Sequence, residues 1–311
     1  MDADKIILVT RKTRLEGLIE RFNTREQARF YLDHSGDDFR RYEAEHEIYI
    51  LALKRLKETL TRLGKLQVIE RGFLPNFLFG KEDLVVTMGV DGLVVNTAKY
   101  LRGQLLVAVN PDPDHIDGVL LPFRLEQVAE VARRALQRQV KTRAIRMAQA
   151  SLADGQRLIG FNDLFIGARS HISARYTLQL DQRSERHSSS GIIVSTGAGS
   201  TGWLSSLFNM ANGLAAAFSG AGQRISAPSL AWESDRLVFV VREPFASKTS
   251  AAGLVGGWID PDQPLLVQSE MPSGGVIFSD GVETDFLAFN AGATATIALA
   301  EQQTHLVVGK I

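Results

Sequence analysis

The chain has 311 residues, 45% of them hydrophobic and 23% charged, which excludes a disordered tail, a collagen-like repeat or a disulfide-dense framework. Lys+Arg and Asp+Glu both total 35, so no global basic field exists to hold nucleic acid or an anionic membrane, and any anion site has to be local. The absence of cysteine removes disulfides, thiolate metal sites and a cysteine nucleophile, and no apolar run approaches the ~18 residues of a membrane span. A cytoplasmic protein of about two domains is expected, at ~100–200 residues per domain.

The first half alternates strands with helices. Lys5 to Thr10 is a continuous apolar run of the kind shown by a strand covered on both faces. Thr24-Arg25-Glu26-Gln27 has capping-box spacing and opens a helix that Ser35-Gly36 interrupts. A second helix carries Tyr49, Leu53, Leu56, Leu60 and Leu63 on one face and stops at Gly64. Strand patterns recur at Leu66 to Ile69, Leu84 to Met88 and Leu105 to Val109, and Leu125 to Arg138 reads as an amphipathic helix. This alternation predicts an open, mostly parallel α/β sheet over residues 1–140.

From about Lys141 the pattern changes to short alternating stretches with turn signals, at Ala153-Asp154-Gly155, Arg169 to Asp181, Leu237 to Arg242, Leu265 to Ser269 and Thr294 to Ala300. A β-rich domain is expected over 141–311. One helix interrupts it, starting near Gly199, running through Leu204, Leu207 and Met210, with Gly213 as its stop.

Gly89-Val90-Asp91-Gly92 follows the Leu84 to Met88 strand and precedes a helical segment, Val94 to Leu101. Glycines at such a turn let backbone N–H groups and the helix N-terminus approach phosphate oxygens. Asp91 would repel a bound phosphate, so a carboxylate there points to catalysis or metal binding, while a plain turn with a solvated Asp stays open. Gly197-Ala198-Gly199-Ser200-Thr201-Gly202 fits the spacing of the dinucleotide fingerprint. The first acidic residue after it is Glu233, well past the ~20 residues at which a ribose contact is expected, which argues against hydride transfer. The hydroxyls of Ser195, Thr196, Ser200 and Thr201 beside a helix start still suit phosphate or ribose. Phe161-Asn162-Asp163 leads into an apolar strand, and Arg11, Lys12 and Arg14 follow the first strand at the edge where open α/β sheets bind ligands, as candidate phosphate contacts. The histidines are scattered without zinc-ligand spacing, so no metal-ligating set is expected.

Taken in order, these segments resemble the NAD kinase family, most closely its mitochondrial-type branch. Gly89-Val90-Asp91-Gly92-Leu93 stands where the family has Gly-Gly-Asp-Gly-Thr, Asn162-Asp163 where it has Asn-Glu, and Thr196 to Trp203 is similar to its Thr-Gly-Thr-Gly-Ser stretch with a following aromatic. Between them, Val109-Asn110-Pro111-Asp112-Pro113 resembles the segment after the family's fourth strand, and Ser279-Asp280-Gly281 resembles its late Asp-Gly turn. The resemblance implies an NAD kinase-like fold and transfer of a phosphoryl group from ATP, with Mg²⁺, to the adenosine-ribose 2′-hydroxyl of NAD. It implies Asp91 as general base, with Gly89 and Gly92 in the phosphate loop. Asn162 and Asp163 would hold the ribose and nicotinamide side, and Thr196, Gly197, Gly199, Ser200 and Thr201 would line the adenine and phosphate region. It also implies a homodimer or homotetramer. Val90 replaces a glycine and would be costly at positive φ, and Leu93 replaces a threonine hydroxyl. A non-catalytic dinucleotide-binding protein on the same scaffold and, further off, an NAD-dependent oxidoreductase remain alternatives.

Overall fold

A computed structural model describes residues 5–219 and 224–309. They form two compact units, one of residues 5–143 with 304–309 and one of Ala144–Gln303. The chain order opens with β1 (Ile6–Thr10), α1 (Arg14–Phe22), α2 (Arg25–Ser35), α3 (Phe39–Thr61), β2 (Leu66–Glu70), β3 (Leu84–Met88), α4 (Asp91–Ala98), β4 (Leu105–Asn110), β5 (Phe123–Arg124) and α5 (Val128–Leu136). It continues with β6 (Lys141–Leu152), β7 (Arg157–Gly160), β8 (Asp163–Ala168), β9 (Ala174–Leu180), β10 (Arg183–Ser189), β11 (Ile192–Ser195) and α6 (Ser205–Ser219). The last strands are β12 (Leu237–Val241), β13 (Gly256–Ile259), β14 (Leu265–Ser269), β15 (Gly275–Ser279), β16 (Val282–Ala288) and β17 (Thr294–Val308).

The first unit is a parallel sheet in the order β2-β1-β3-β4, with β5 and the end of β17 also pairing β4 in parallel. Every residue of β1, β3 and β4 is buried, the pattern expected of strands covered on both faces. Ile6, Leu8, Val86, Met88, Val107 and Val109 pack with Tyr49, Leu56 and Leu60 of α3 and Val131 of α5 in one cluster. Complete burial of a side chain such as Leu56 contributes about 1.5–3 kcal/mol. All three strands therefore end, at Thr10, Met88 and Asn110, on one edge with their loops fixed by a rigid sheet.

The second unit is antiparallel. One sheet runs β10-β9-β14-β17, with β6 pairing β17 and β7; the other runs β13-β12-β11-β8-β15-β16. Tyr176, Val267 and Ile297 of the first sheet share a core with Ile166, Val194, Phe239 and Ile277 of the second, which makes a sandwich. Leu207 and Phe208 of α6 pack on the outer apolar clusters of the second sheet.

Several local expectations change. The reciprocal capping box forms at Thr13 and Glu16, opening α1, a helix the sequence analysis does not assign; Thr24 caps α2 by accepting from Gln27 N alone. Arg14 is thus the first residue of a helix. The helix after Gly89 begins at Asp91 and ends at Ala98, earlier at both ends than Val94 to Leu101. Helix α5 starts at Val128 after a 3₁₀ turn, and Arg138 adopts a left-handed φ of 57° beyond it. Residues 169–173 lie outside any strand, and β17 runs on to Val308 because its last residues join β4. Gly213 does not stop α6, which continues to Ser219: a glycine inside a helix costs about 1 kcal/mol, a cost small enough for the helix to run through it while half-buried Leu207 and Phe208 anchor its first turns on the sheet.

Candidate functional site

In the first unit, Val90 is the N-cap of α4 with φ −114° and ψ 165°, ordinary extended backbone, so a β-branched residue sits there without strain. Leu93, in place of a hydroxyl residue, is buried and packs beneath the loop, where its Cδ2 would lie 3.2 Å from a Cβ added to Gly89. Asp91, the first residue of the helix, has both carboxylate oxygens engaged: Oδ2 accepts from Val119 N at 3.1 Å and Oδ1 from Leu120 N at 2.9 Å. Each oxygen keeps a second lone pair, so the carboxylate is held in one orientation and can still accept a proton.

Tyr49 ties the ends of two strands together, its hydroxyl accepting from Arg11 N at 3.1 Å and donating to Met88 O at 3.4 Å. Glu45, one turn earlier on α3, bridges Arg11 Nη2 at 3.1 Å and Arg14 Nε at 2.6 Å. Arg11 Nε is buried without a hydrogen-bond partner. These residues line a cavity of about 680 Å³ together with Arg41, Val90, Asp112 and His115. Two of the three sequence-predicted cations, Arg11 and Arg14, therefore share one cavity with Val90 of the Gly89 to Gly92 loop. Lys12 does not line it; its ammonium pairs with Glu20 at 2.8 Å on the exposed start of α1. Arg41, Glu45, Tyr49 and His115 were missed as site residues because they are far apart in sequence and carry no motif; only Tyr49 had a signal, and that was for the core.

The second unit assembles its own constellation. Thr196 Oγ1 donates towards Phe161 O at 2.6 Å and Asn162 O at 3.2 Å and accepts from Gly199 N at 3.2 Å, while Thr196 N donates to Asn162 O at 2.9 Å. Asp280, at a left-handed φ of 54°, accepts from the backbone N–H groups of Phe161 (3.0 Å), Asn162 (2.6 Å) and Asp163 (3.3 Å). Asn162 and Asp163 of one turn are thus brought against Thr196, Gly197, Gly199 and Ser200 of another, with Ser200 Oγ donating to Gly197 O at 2.8 Å. Thr201 is exposed beyond it. Trp203 stacks parallel to Phe165 at 6.0 Å and, with Arg169 and Arg242, lines a second cavity of about 380 Å³.

The glycines divide into two physical kinds. A Cβ on Gly197 would lie 1.8 Å from Ala231 O and one on Gly199 2.0 Å from Asn162 O, so both are demanded by backbone approach within the protein itself. Gly92 is helical and exposed with nothing within 4 Å of an added Cβ. Gly92→Ala is therefore expected to raise stability by about 0.5 kcal/mol, read as a higher Tm. A simultaneous loss of ATP affinity in calorimetry would place the glycine at the nucleotide, whereas unchanged affinity would remove Gly92 from the site.

Among the described residues no three His, Asp or Glu side chains gather as a metal cage, and no helix is long and apolar enough to cross a membrane. A Mg²⁺ that arrives on nucleotide phosphates needs one or two carboxylates and keeps several waters, so this donor set is compatible with that form of the ion. The arginine-lined cavity with its orphaned Arg11 Nε fits the phosphates themselves.

No family model matches the sequence, and no curated protein matches it. Among solved structures, the chain is similar to yeast NADH kinase complexed with NADH, at 12% identity and a TM-score of 0.59, over 100% of this chain and 85% of that one. It is also similar to an NAD kinase from Archaeoglobus fulgidus in complex with ATP, at 17% identity and a TM-score of 0.54, over 97% of this chain and 93% of that one. With an N-terminal, mostly parallel α/β unit and a C-terminal antiparallel β-rich unit, the chain has the fold of these NAD(H) kinases.

Proposed function

We propose that the protein is a phosphotransferase that moves the γ-phosphoryl group of ATP to the adenosine-ribose 2′-hydroxyl of NAD or NADH, giving the 2′-phosphorylated dinucleotide. The observation that carries the reading is the placement of Asp91: a carboxylate locked by two backbone N–H groups, at the carboxyl end of a buried parallel strand and next to Val90 of the arginine-lined cavity. The likeness in fold to kinases whose structures hold NADH or ATP supports the choice of substrates.

In this reading Asp91 takes the hydroxyl proton as the ribose oxygen attacks the γ-phosphorus, while the bond from that phosphorus to the β,γ-bridging oxygen breaks and ADP leaves. Arg11 and Arg14 hold the phosphates, with Gly89 and Gly92 allowing close approach. Lys12, paired with Glu20, takes no part. Asn162, Asp163 and the 196–201 turn hold the dinucleotide. Bound Mg²⁺ supplies neutralisation of phosphate charge. The protein works in the cytoplasm as a homodimer or homotetramer, the latter readable by light scattering.

One observation favours a second reading. Because both oxygens of Asp91 already serve residues 119 and 120, the same carboxylate also suits a purely structural tie in a non-catalytic dinucleotide-binding protein. A coupled assay for NADP formation from NAD, ATP and Mg²⁺, run beside NAD calorimetry, separates the two. Turnover is expected; binding without turnover would select the second reading, and neither would reject both.

A further inference from the structure

The cavity beside Val90 holds more positive charge than its internal ion pairs use. Arg11, Arg14 and Arg41 line it against Glu45 and Asp112, and Glu45 is shared by Arg11 and Arg14. Arg41, exposed on α3, has no ion pair or side-chain hydrogen bond among the described residues. The carboxylates that feel its charge, Asp37 and Asp38, are engaged by Tyr42 and by Arg40. Arg14 spends its Nε on Glu45 and lies over the Tyr42 ring at 4.4 Å.

Across the cavity, in the turn after β4, His115 Nδ1 sits 2.9 Å from Asp112 Oδ2, and its side chain is 75% exposed. With Nδ1–H donated to Asp112, Nε2 is a donor for a ligand when the ring is protonated and an acceptor when it is neutral. When His115 carries its proton, the His115–Asp112 pair is neutral; when it does not, Asp112 alone contributes a negative charge. Protonation therefore raises the charge of the cavity by one unit.

We infer that Arg41 and His115 are oxyanion contacts of this cavity, completing with Arg11 and Arg14 a site for a phosphate-type group that is held more tightly when His115 is protonated. The inference deepens the phosphotransferase reading and rests on its assignment of this cavity to the phosphate side. It extends that reading to two residues that belong to none of the motifs.

The sign of the pH dependence follows from the neighbours of His115. The hydrogen bond to Asp112, followed by the attraction of Asp112 and of Asp114, raises its pKa above the usual histidine value. Its charge is then fully present below the ordinary range and is lost as pH rises through the raised value. Glu45 and Arg41 of α3 and Arg11 and Arg14 of the segment after β1 are the other charged groups that line the cavity with His115 and Asp112.

The test uses the full chain and inorganic sulfate, whose own charge is constant over the range, with the His115 ring resonance followed by NMR at about pH 6 and about pH 8.5. Sulfate is expected to shift that resonance and to bind more tightly at the lower pH, by up to about fivefold, the size of an exposed charge contact. His115→Gln should abolish the difference, and Arg41→Gln should weaken binding at both pH values by a similar factor, with Tm unchanged in both exposed-site variants. A pH difference that survives His115→Gln, or sulfate affinity indifferent to Arg41→Gln, overturns the inference. The two failures are separable: no NADP formation with the sulfate behaviour intact would sink phosphoryl transfer and leave the anion site standing. NADP formation with sulfate indifferent to both residues would do the reverse.

Discussion

Gly199→Ala is expected to destabilise the protein by about 3 kcal/mol or more, lowering Tm by roughly 6–12 °C. The added Cβ would lie 2.0 Å from Asn162 O and 2.6 Å from Asn162 C, distances no relaxed side chain adopts, and the obstacle is backbone, which cannot rotate away. Relief requires the 196–200 turn and the 161–163 turn to separate. That would break the Thr196 N to Asn162 O bond and strain the Thr196 hydroxyl contacts at once. Asp280 resists the movement by holding three successive N–H groups of the 161–163 turn. The same displacement moves Asn162 and Asp163, so under the proposed assignment of these two residues to the dinucleotide NAD affinity falls with stability. Thermal melting of Gly199→Ala beside Gly92→Ala makes the comparison internal, since the second substitution has open space. A Gly199→Ala variant that melts with the wild type would show that the turn yields easily and that the glycine has another purpose.

That contrast shows where sequence reading succeeds and where it stops. The parallel sheet was legible because β1, β3 and β4 are buried on both faces, and burial writes itself as uninterrupted runs such as Leu84 to Met88. The positions of Asn162 and Thr196 were legible as polar residues at the ends of apolar strands, but their mutual bonding was not. The packing demand on Gly197 and Gly199 is not legible: spacing cannot tell a backbone that must approach a phosphate from one that must approach Asn162 or Ala231. Helix α1 goes unassigned in the sequence although Thr13-Arg14-Leu15-Glu16 carries the same capping pattern as Thr24 to Gln27, because the basic residues around it read as candidate phosphate contacts. The cavity was out of reach altogether, because residues as far apart in sequence as Arg11, Glu45 and His115 meet only once α3 has packed on the sheet.

Asp91→Asn is expected to lower kcat for NADP formation by about 10²–10⁴ while leaving NAD affinity nearly unchanged. Asparagine keeps the shape and one acceptor, but its amide cannot take the hydroxyl proton. Its NH₂ group would also face one of the two backbone donors, Val119 N or Leu120 N, leaving that donor unsatisfied at a cost of about 1–3 kcal/mol if water cannot replace the lost bond. Loss of stability alone therefore does not identify a base, because a purely structural tie predicts the same lower Tm. The two roles part on the rate: a tie would leave kcat within the range explained by the folded fraction, whereas a general base would leave a well-folded, NAD-binding protein that barely turns over. Asp91→Glu sharpens the distinction. A glutamate keeps a proton acceptor but reaches one methylene further, roughly 1.5 Å at a normal carbon–carbon bond length, so it disturbs the 119–120 contacts as much as asparagine does while preserving the chemistry. If Asp91 is the base, Asp91→Glu should lose stability yet retain more activity than Asp91→Asn. If it is only a tie, activity in both variants should follow Tm alone.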